Sequence, residues 1–246
     1  MKHLAILLTA ALFIPALSAQ TLKIRGYAYD LKSGKYLYSE RHKEVYKKGN
    51  HAYSDVYYVD PKGKTIAYKR ITFTKSKTAP DYKLTDYRIG LIESARKAGS
   101  FIKTVSRLGK GKETKTKRFK KPRSLIVDGG FDHFIRQNWG RLQTGKKVPV
   151  NFAVASRGDF FGFYVQKART GKLYGKKVTY FKMVIDNWIL RMLSKPIVVA
   201  YYDDFKRLAL YKGQSNINDV NGENYKTKIV FNHKQYKQYK KIAKLN

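Results

Sequence analysis

Thr21-Leu-Lys-Ile-Arg-Gly-Tyr-Ala-Tyr29 decides the fold class. Leu22, Ile24 and Ala28 alternate with Lys23, Arg25 and Tyr27, the period-two signature of a strand with one buried and one wet face. The same pattern returns downstream. Lys35 to Lys47 reads as a second strand, and Ala52 to Val59 with Thr65 to Thr74 as a hairpin around Asp60-Pro-Lys-Gly-Lys64, where Pro and Gly supply the turn dihedrals. Asp81 to Ile89 reads as another strand, and Leu91 to Lys97 as one or two helical turns. Phe101 to Leu108 and Glu113 to Lys121 flank Gly109-Lys-Gly-Lys112 as a further hairpin.

From Asp128 the period changes. Phe131, Phe134, Ile135 and Leu142 fall at helical spacing, so Phe131 to Leu142 is expected to form the main helix, laid over a sheet. Lys147 to Ala155, Phe160 to Ala168 and Leu173 to Val184 then read as strands, with Trp188 to Leu193 as a short helical or irregular link stopped before Pro196. Ile197 to Tyr202 and Arg207 to Gln214 form a hairpin around Asp203 to Lys206, and Asn221-Gly222 announces a tight turn before Tyr225 to Phe231. The 20 Tyr residues suit pleated, half-buried surfaces. The expectation is a mainly β chain: a strongly curved antiparallel sheet of about ten strands, as a half-barrel or barrel, with one main helix packed on it. A two-sheet sandwich is the other architecture that fits, but one amphipathic helix covers one concave face and not two.

Upstream of the first strand, Met1 to Ala19 has a short basic start, an apolar run from Leu4 to Leu17 and small residues at a cleavage site. Those are the elements of a signal peptide, and the run is short for a bilayer span. No Cys is present, so neither a lipid-anchoring cysteine nor a disulfide is available. The expected organisation is a leader at 1–19, one β-rich domain at 20–232 and a basic tail at 233–246, in the periplasm or secreted. Within the tail, a helix would place Tyr236, Tyr239 and Ala243 on one face and lysines on another, as in a weak interfacial helix that could touch a membrane peripherally. The expectation, however, is a frayed, solvated terminus.

The formal net charge is +35, from 52 Lys and Arg against 17 Asp and Glu. Between Lys103 and Arg123 ten basic residues accompany one acid, Glu113. So dense a single-sign run repels itself unless an anion lies near. Lys110, Lys112, Lys115, Lys117, Arg118, Lys120, Lys121 and Arg123 are therefore the candidate anion-binding residues. The partners implied are anionic lipid, lipopolysaccharide or acidic polysaccharide; nucleic acid is not expected outside the inner membrane. A solvated loop in a chain that is basic throughout is the bland account.

Catalysis finds little support. There is no nucleophile elbow, phosphate loop or dinucleotide fingerprint, and His42, His51, His133 and His233 form no metal-ligand spacing with one another. No cofactor and no metal are implied. Asp128, Asp132 and His133 cluster at the start of the helix; Asp132 with His133 is the best acid/base pair, against an ordinary role for Asp128 at the helix start and a solvent-facing His133. Phe131, Phe134, Trp139, Phe161, Phe163 and Trp188 could line an apolar pocket inside a curved sheet, or form plain core.

Val127-Asp-Gly-Gly-Phe-Asp-His-Phe-Ile135, with Asn138-Trp139 and the later Arg207-Leu208, Tyr211, Gly213 and Ser215-Asn-Ile217 to Asp219, resembles an uncharacterised group of exported bacterial β-rich proteins. Their architecture is similar to that of periplasmic lipoprotein-carrier half-barrels. The resemblance implies a curved sheet around an apolar interior and carries over no functional residue. Together these readings point to an exported, non-enzymatic binder of an anionic amphiphile or envelope polyanion. A surface-only polyanion module and a hydrolase built on Asp132 and His133 are the alternatives.

Overall fold

Short turns join strand to strand along this chain, and short turns permit only antiparallel neighbours. The computed structural model describes residues 19–187, 196–219 and 221–243. The first arm holds β1 (Gln20–Asp30), β2 (Tyr36–Lys47), β3 (Asn50–Val59), β4 (Thr65–Thr72), β5 (Asp81–Asp86), β6 (Leu91–Ala98), β7 (Phe101–Arg107) and β8 (Lys115–Lys120). After β9 (Leu125–Ile126), α1 (Gly130–Gln137) and α2 (Trp139–Gln143), the second arm holds β10 (Val148–Val154), β11 (Asp159–Leu173), β12 (Lys176–Ile185), β13 (Ile197–Tyr202), β14 (Arg207–Asn218) and β15 (Asn224–Phe231). All fifteen strands belong to one sheet, ordered 8-7-6-5-4-3-2-1-15-14-13-12-11-10-9. The pairing of β1 with β15 joins the two arms at the centre, and β8 and β9 are the free edges.

The sheet bends so that its inner faces meet. Tyr38 on β2 touches Ser215 on β14 at 2.5 Å, Glu44 on β2 pairs with Arg207 on β14, and the Phe119 ring of β8 lies 5.5 Å from Phe160 of β11. β9 pairs in parallel with β10, which the long crossover through both helices makes possible. Alternation sets the faces: in β1, Leu22, Ile24 and Ala28 are buried while Lys23, Arg25 and Tyr27 are exposed. Helix α1 buries Phe134 and Ile135 against Val148, Val165 and Phe181, adding a core layer to the second arm.

The architecture exceeds and corrects the expectation in several places. About ten strands become fifteen among the described residues, and these form neither a closed barrel nor a two-sheet sandwich, since their single sheet keeps two free edges. Leu91–Ala98 is a strand and not a helical turn: it pairs on both sides, with β5 and β7, and those ladders override a weak local preference. The expected single helix breaks at Asn138 (φ −100°, ψ 13°), whose side chain donates to the Phe134 carbonyl and so competes with the helical ladder. β11 runs on through Arg169 to Leu173 across a bulge, and the reversal falls at Tyr174-Gly175, both with positive φ. The Trp188 to Leu193 link lies outside the described residues.

The tail is docked and not frayed. A 3-10 turn (His233–Tyr236) leads into α3 (Lys237–Ala243); Tyr236 is 1% exposed and Ile242 is buried. The Tyr236 hydroxyl donates to the Leu208 carbonyl at 2.7 Å. Burial of this apolar edge leaves Lys234, Lys237, Lys240 and Lys241 facing water. Among the described residues no helix is long and apolar enough to cross a membrane.

Candidate functional site

The bend encloses a cavity of about 340 Å³ between the two arms and the start of α1. Its apolar wall includes Phe131, Phe152, Ile197, Val199, Leu208 and Ile229, and its polar wall includes Glu44, His51, Ser54, Lys69, Glu93, Asp128 and Arg207. Local geometry delivers these groups. On β2, residues 40, 42 and 44 share the inward face with Tyr38 and Tyr46. On β3, a register shift after Val45 pairs Tyr46 with His51 and Val45 with Tyr53, leaving Ala52 as an extra residue. His51 and Ser54, at odd spacing, thereby both point inward.

The start of α1 is held by close approach. A Cβ on Gly130 would lie 1.9 Å from the Thr78 carbonyl oxygen, so only glycine lets the helix sit against that loop. Asp128 adopts φ 43°, a left-handed conformation that Asp tolerates, with its own carboxylate accepting from the Gly129 amide. This turn aims Asp128 at Lys69, 2.9 Å away, both ends of the pair being 8% exposed. Asn216 also donates to Asp128 at 3.1 Å.

Two groups of buried charge result. In the first, Arg207 Nη2 lies 2.5 Å from Glu44 and its Nη1 3.5 Å from Asp132, while Arg136 Nη1 lies 2.8 Å from Asp132. Burial works to raise the Glu44 and Asp132 carboxyls, but Arg207 for Glu44, and Arg136 with Arg207 for Asp132, outweigh it and hold both below the usual range. Although the Arg136 and Arg207 Nη1 atoms are within ion-pair range of Asp132, neither is aligned as a hydrogen bond, and Arg207 Nε has no hydrogen-bond acceptor. Arg207 is 3% exposed, and the Tyr239 and Tyr236 rings lie 4.8 and 5.4 Å from its Cζ. In the second group, burial and then the charge of Asp128 push the Glu93 carboxyl up to about 7, against the pull of Lys69.

The histidines are locked beside the first group. Arg136 Nη2 lies 3.0 Å from His133 Nδ1, and a guanidinium can only donate. His133 Nδ1 is therefore the acceptor, its proton sits on Nε2 and is donated to His51 Nδ1 at 3.1 Å, and His51 Nε2 donates to Ser54 Oγ at 2.8 Å. Burial, reinforced by Arg136, lowers His133 to about 3, and burial lowers His51 to about 4. Neutral in this order, His51 donates to Ser54 and offers it no base. His133 is thus half-buried and bonded, contrary to the solvent-facing expectation. Asp132 and His133, adjacent on α1, both engage Arg136, Asp132 through Nη1 and His133 through Nη2, and are not hydrogen-bonded to each other. Among the described residues no three His, Asp or Glu groups are placed to hold a metal ion.

The remaining sequence candidates separate in space. Lys110, Lys112, Lys115, Lys117, Arg118, Lys120, Lys121 and Arg123 are all exposed, but alternation along β8 sends Arg118 and Lys120 to one face and Lys115 and Lys117 to the other. The hairpin is therefore not one basic surface. Lysines along a free sheet edge also discourage pairing with another chain, which gives them a role without any ligand. Lys117 covers Gly158 and donates to the Arg157 carbonyl at 3.2 Å, beside the cavity-lining Ser156. Of the apolar candidates, Phe131 lines the cavity. Phe134 and Trp139 pack instead in the helix-covered core, Phe163 packs on Phe152, Phe161 is 37% exposed, and Trp188 lies outside the described residues. Sequence reading passed over Glu44, Lys69 and Glu93, weighed His51 only as a metal ligand and gave Arg207 and Tyr236 no part in a cavity; the available signal was acids and a histidine sharing strand parity with buried tyrosines in β2. No family model, curated protein or solved structure matches the chain.

Proposed function

We propose that the protein is a non-catalytic binder of a single-chain anionic amphiphile, with the strongly curved sheet acting as a half-barrel around the ligand. The observation that carries this reading is Arg207: a nearly fully buried guanidinium in the cavity wall with donors lacking aligned acceptors. Such donors are rare in native proteins and are satisfied by a ligand or water. A carboxylate or phosphate would take them, while the apolar tail would rest on Phe131, Phe152, Ile197 and Leu208. The volume, at the small end of ligand clefts of roughly 300–1,000 Å³, favours one chain over a multi-chain lipid or lipopolysaccharide. The leader-like Met1 to Ala19 supports an exported, periplasmic or secreted setting for such a binder.

The test is native mass spectrometry of protein purified from its host, followed by titration with dodecanoate and dodecanol. A copurified chain of fatty-acid size, and tighter binding of dodecanoate than of dodecanol that the double variant Glu44→Gln/Arg207→Met abolishes, is the expected result. No retained amphiphile and no binding of either compound would sink the proposal.

A further inference from the structure

The charge of +35 is sorted by the fold. On the first arm Glu40, Glu44 and Glu93 point into the cavity with Lys69, whereas most of the strand cations occupy the opposite, outer face. Register then sets like charges directly against each other. Lys23 faces Lys43 and Arg25 faces Arg41 across β1 and β2, all four exposed; further along, Lys103 on β7 lies between Arg96 on β6 and Arg118 on β8. The strand acids on this face are Asp55 and Asp81, engaged by Arg70 and Lys75. Directly opposed like charges destabilise a sheet; Lys43 is offset by Asp55, directly opposite it on β3 and shared with Arg70, whereas Arg41 lies between Arg25 and Tyr57, so the Arg25–Arg41 pair opposes folding unless an anion sits over it. Aromatic rings flank the square: Tyr57, 41% exposed, lies opposite Arg41, Tyr27, 40% exposed, follows Arg25, and the Tyr57 and Tyr68 rings are 5.1 Å apart.

We propose that the outer face of β1–β8, centred on Lys23, Arg25, Arg41 and Lys43, binds a linear acidic polysaccharide. The chain would run across the strands, its carboxylates or sulfates over the basic square and its sugar faces over Tyr27 and Tyr57. Two properties favour this occupant. The face is the outside of a sheet that bends around the cavity, so a flat bilayer touches it only along a line, whereas a flexible chain follows it. Neighbouring strands are about 4.8 Å apart, close to the length of one sugar unit and shorter than the phosphate spacing of an extended nucleic-acid strand. The Arg96, Lys103 and Arg118 row, with Arg118 over the Phe101 ring at 4.8 Å, continues the track toward β8. This surface is separate from the cavity and does not depend on its ligand.

The experiment compares the full chain with Lys23→Gln/Arg25→Gln/Arg41→Gln/Lys43→Gln, and with a control carrying Gln at Lys234, Lys237, Lys240 and Lys241. The probes are polygalacturonate, a 20-nucleotide oligothymidylate, and phosphatidylcholine vesicles containing phosphatidylglycerol, each over a salt series. The square variant should bind polygalacturonate at least about tenfold more weakly, with a log–log salt slope shallower by about 3, taking roughly 0.7 per released counterion. The control should bind as the parent does. Equal weakening in the control or unchanged affinity in the square variant would overturn the proposal. Tighter binding of oligothymidylate or vesicles than of polygalacturonate through the same four residues would overturn the choice of polysaccharide.

Discussion

Acidification from pH 7 to pH 5 sets the buried His51 and half-buried His133 against the half-buried Glu93, and the balance can be worked out from their surroundings. His51 and His133, with ordinary values of 6.5, lie near 4 and 3 in the fold. The unfolded chain takes up their protons first, so their contribution is complete above pH 6.5 and is lost as pH falls toward the folded values. At about 1.4 kcal/mol per pH unit below 6.5, each loses about 2 kcal/mol by pH 5. Glu93 runs the other way. Its value rises from 4.5 to about 7, so the folded state takes up the proton first, and stability is gained as pH falls from 7 toward 4.5, again by about 2 kcal/mol at pH 5. Glu44 and Asp132, both lowered, lose their contributions chiefly below this interval. The wild-type protein should therefore lose about 2 kcal/mol, Glu93→Gln about 4, and His51→Gln/His133→Gln should gain about 2, relative to each protein's own stability at pH 7. Urea denaturation at pH 7, 6 and 5 reads these slopes directly. If all three proteins show the same pH dependence, the burial that sets these values is misassigned.

Three further outcomes test the architecture. Arg207→Met alone strands Glu44 without its partner and should cost about 3–5 kcal/mol, while Glu44→Gln/Arg207→Met should recover most of the loss; equal stability of the two variants in urea would show that the pair is not buried as described. Gly130→Ala should lose about 3 kcal/mol, as the new Cβ meets the Thr78 carbonyl, and a neutral result in thermal melts would contradict that approach. Tyr236→Ala should cost about 3–5 kcal/mol by emptying a buried aromatic site, and Tyr236→Phe about 1 through loss of the bond to Leu208; a tail that frays would leave both variants as stable as the parent.

Strand alternation carried most of the fold. The buried face of β1, the hairpins around Asp60 to Lys64 and Asp203 to Lys206, and the turn at Gly222, where φ is 85°, were legible because each depends on residues close in sequence. What failed depended on distant partners. β6 is a strand because β5 and β7 pair with it, and the lysine-rich tail is ordered because Tyr236 and Ile242 find an apolar bed in the body.

Composition and pattern by themselves determined a β-rich chain and an excess of positive charge, since these rest on residue identity and a period of two. Tertiary structure alone decided where the charge lies. Glu44 and Arg207 are 163 residues apart, His51 reaches its inward position through an inserted Ala52, and the opposed cations of β1 and β2 follow from strand register. None of these is a property of a local segment. A one-residue shift in register reverses every face, so the placing of Glu40, Glu44 and Glu93 toward the cavity and of Lys23, Arg25, Arg41 and Lys43 outward exists only once the strands have aligned.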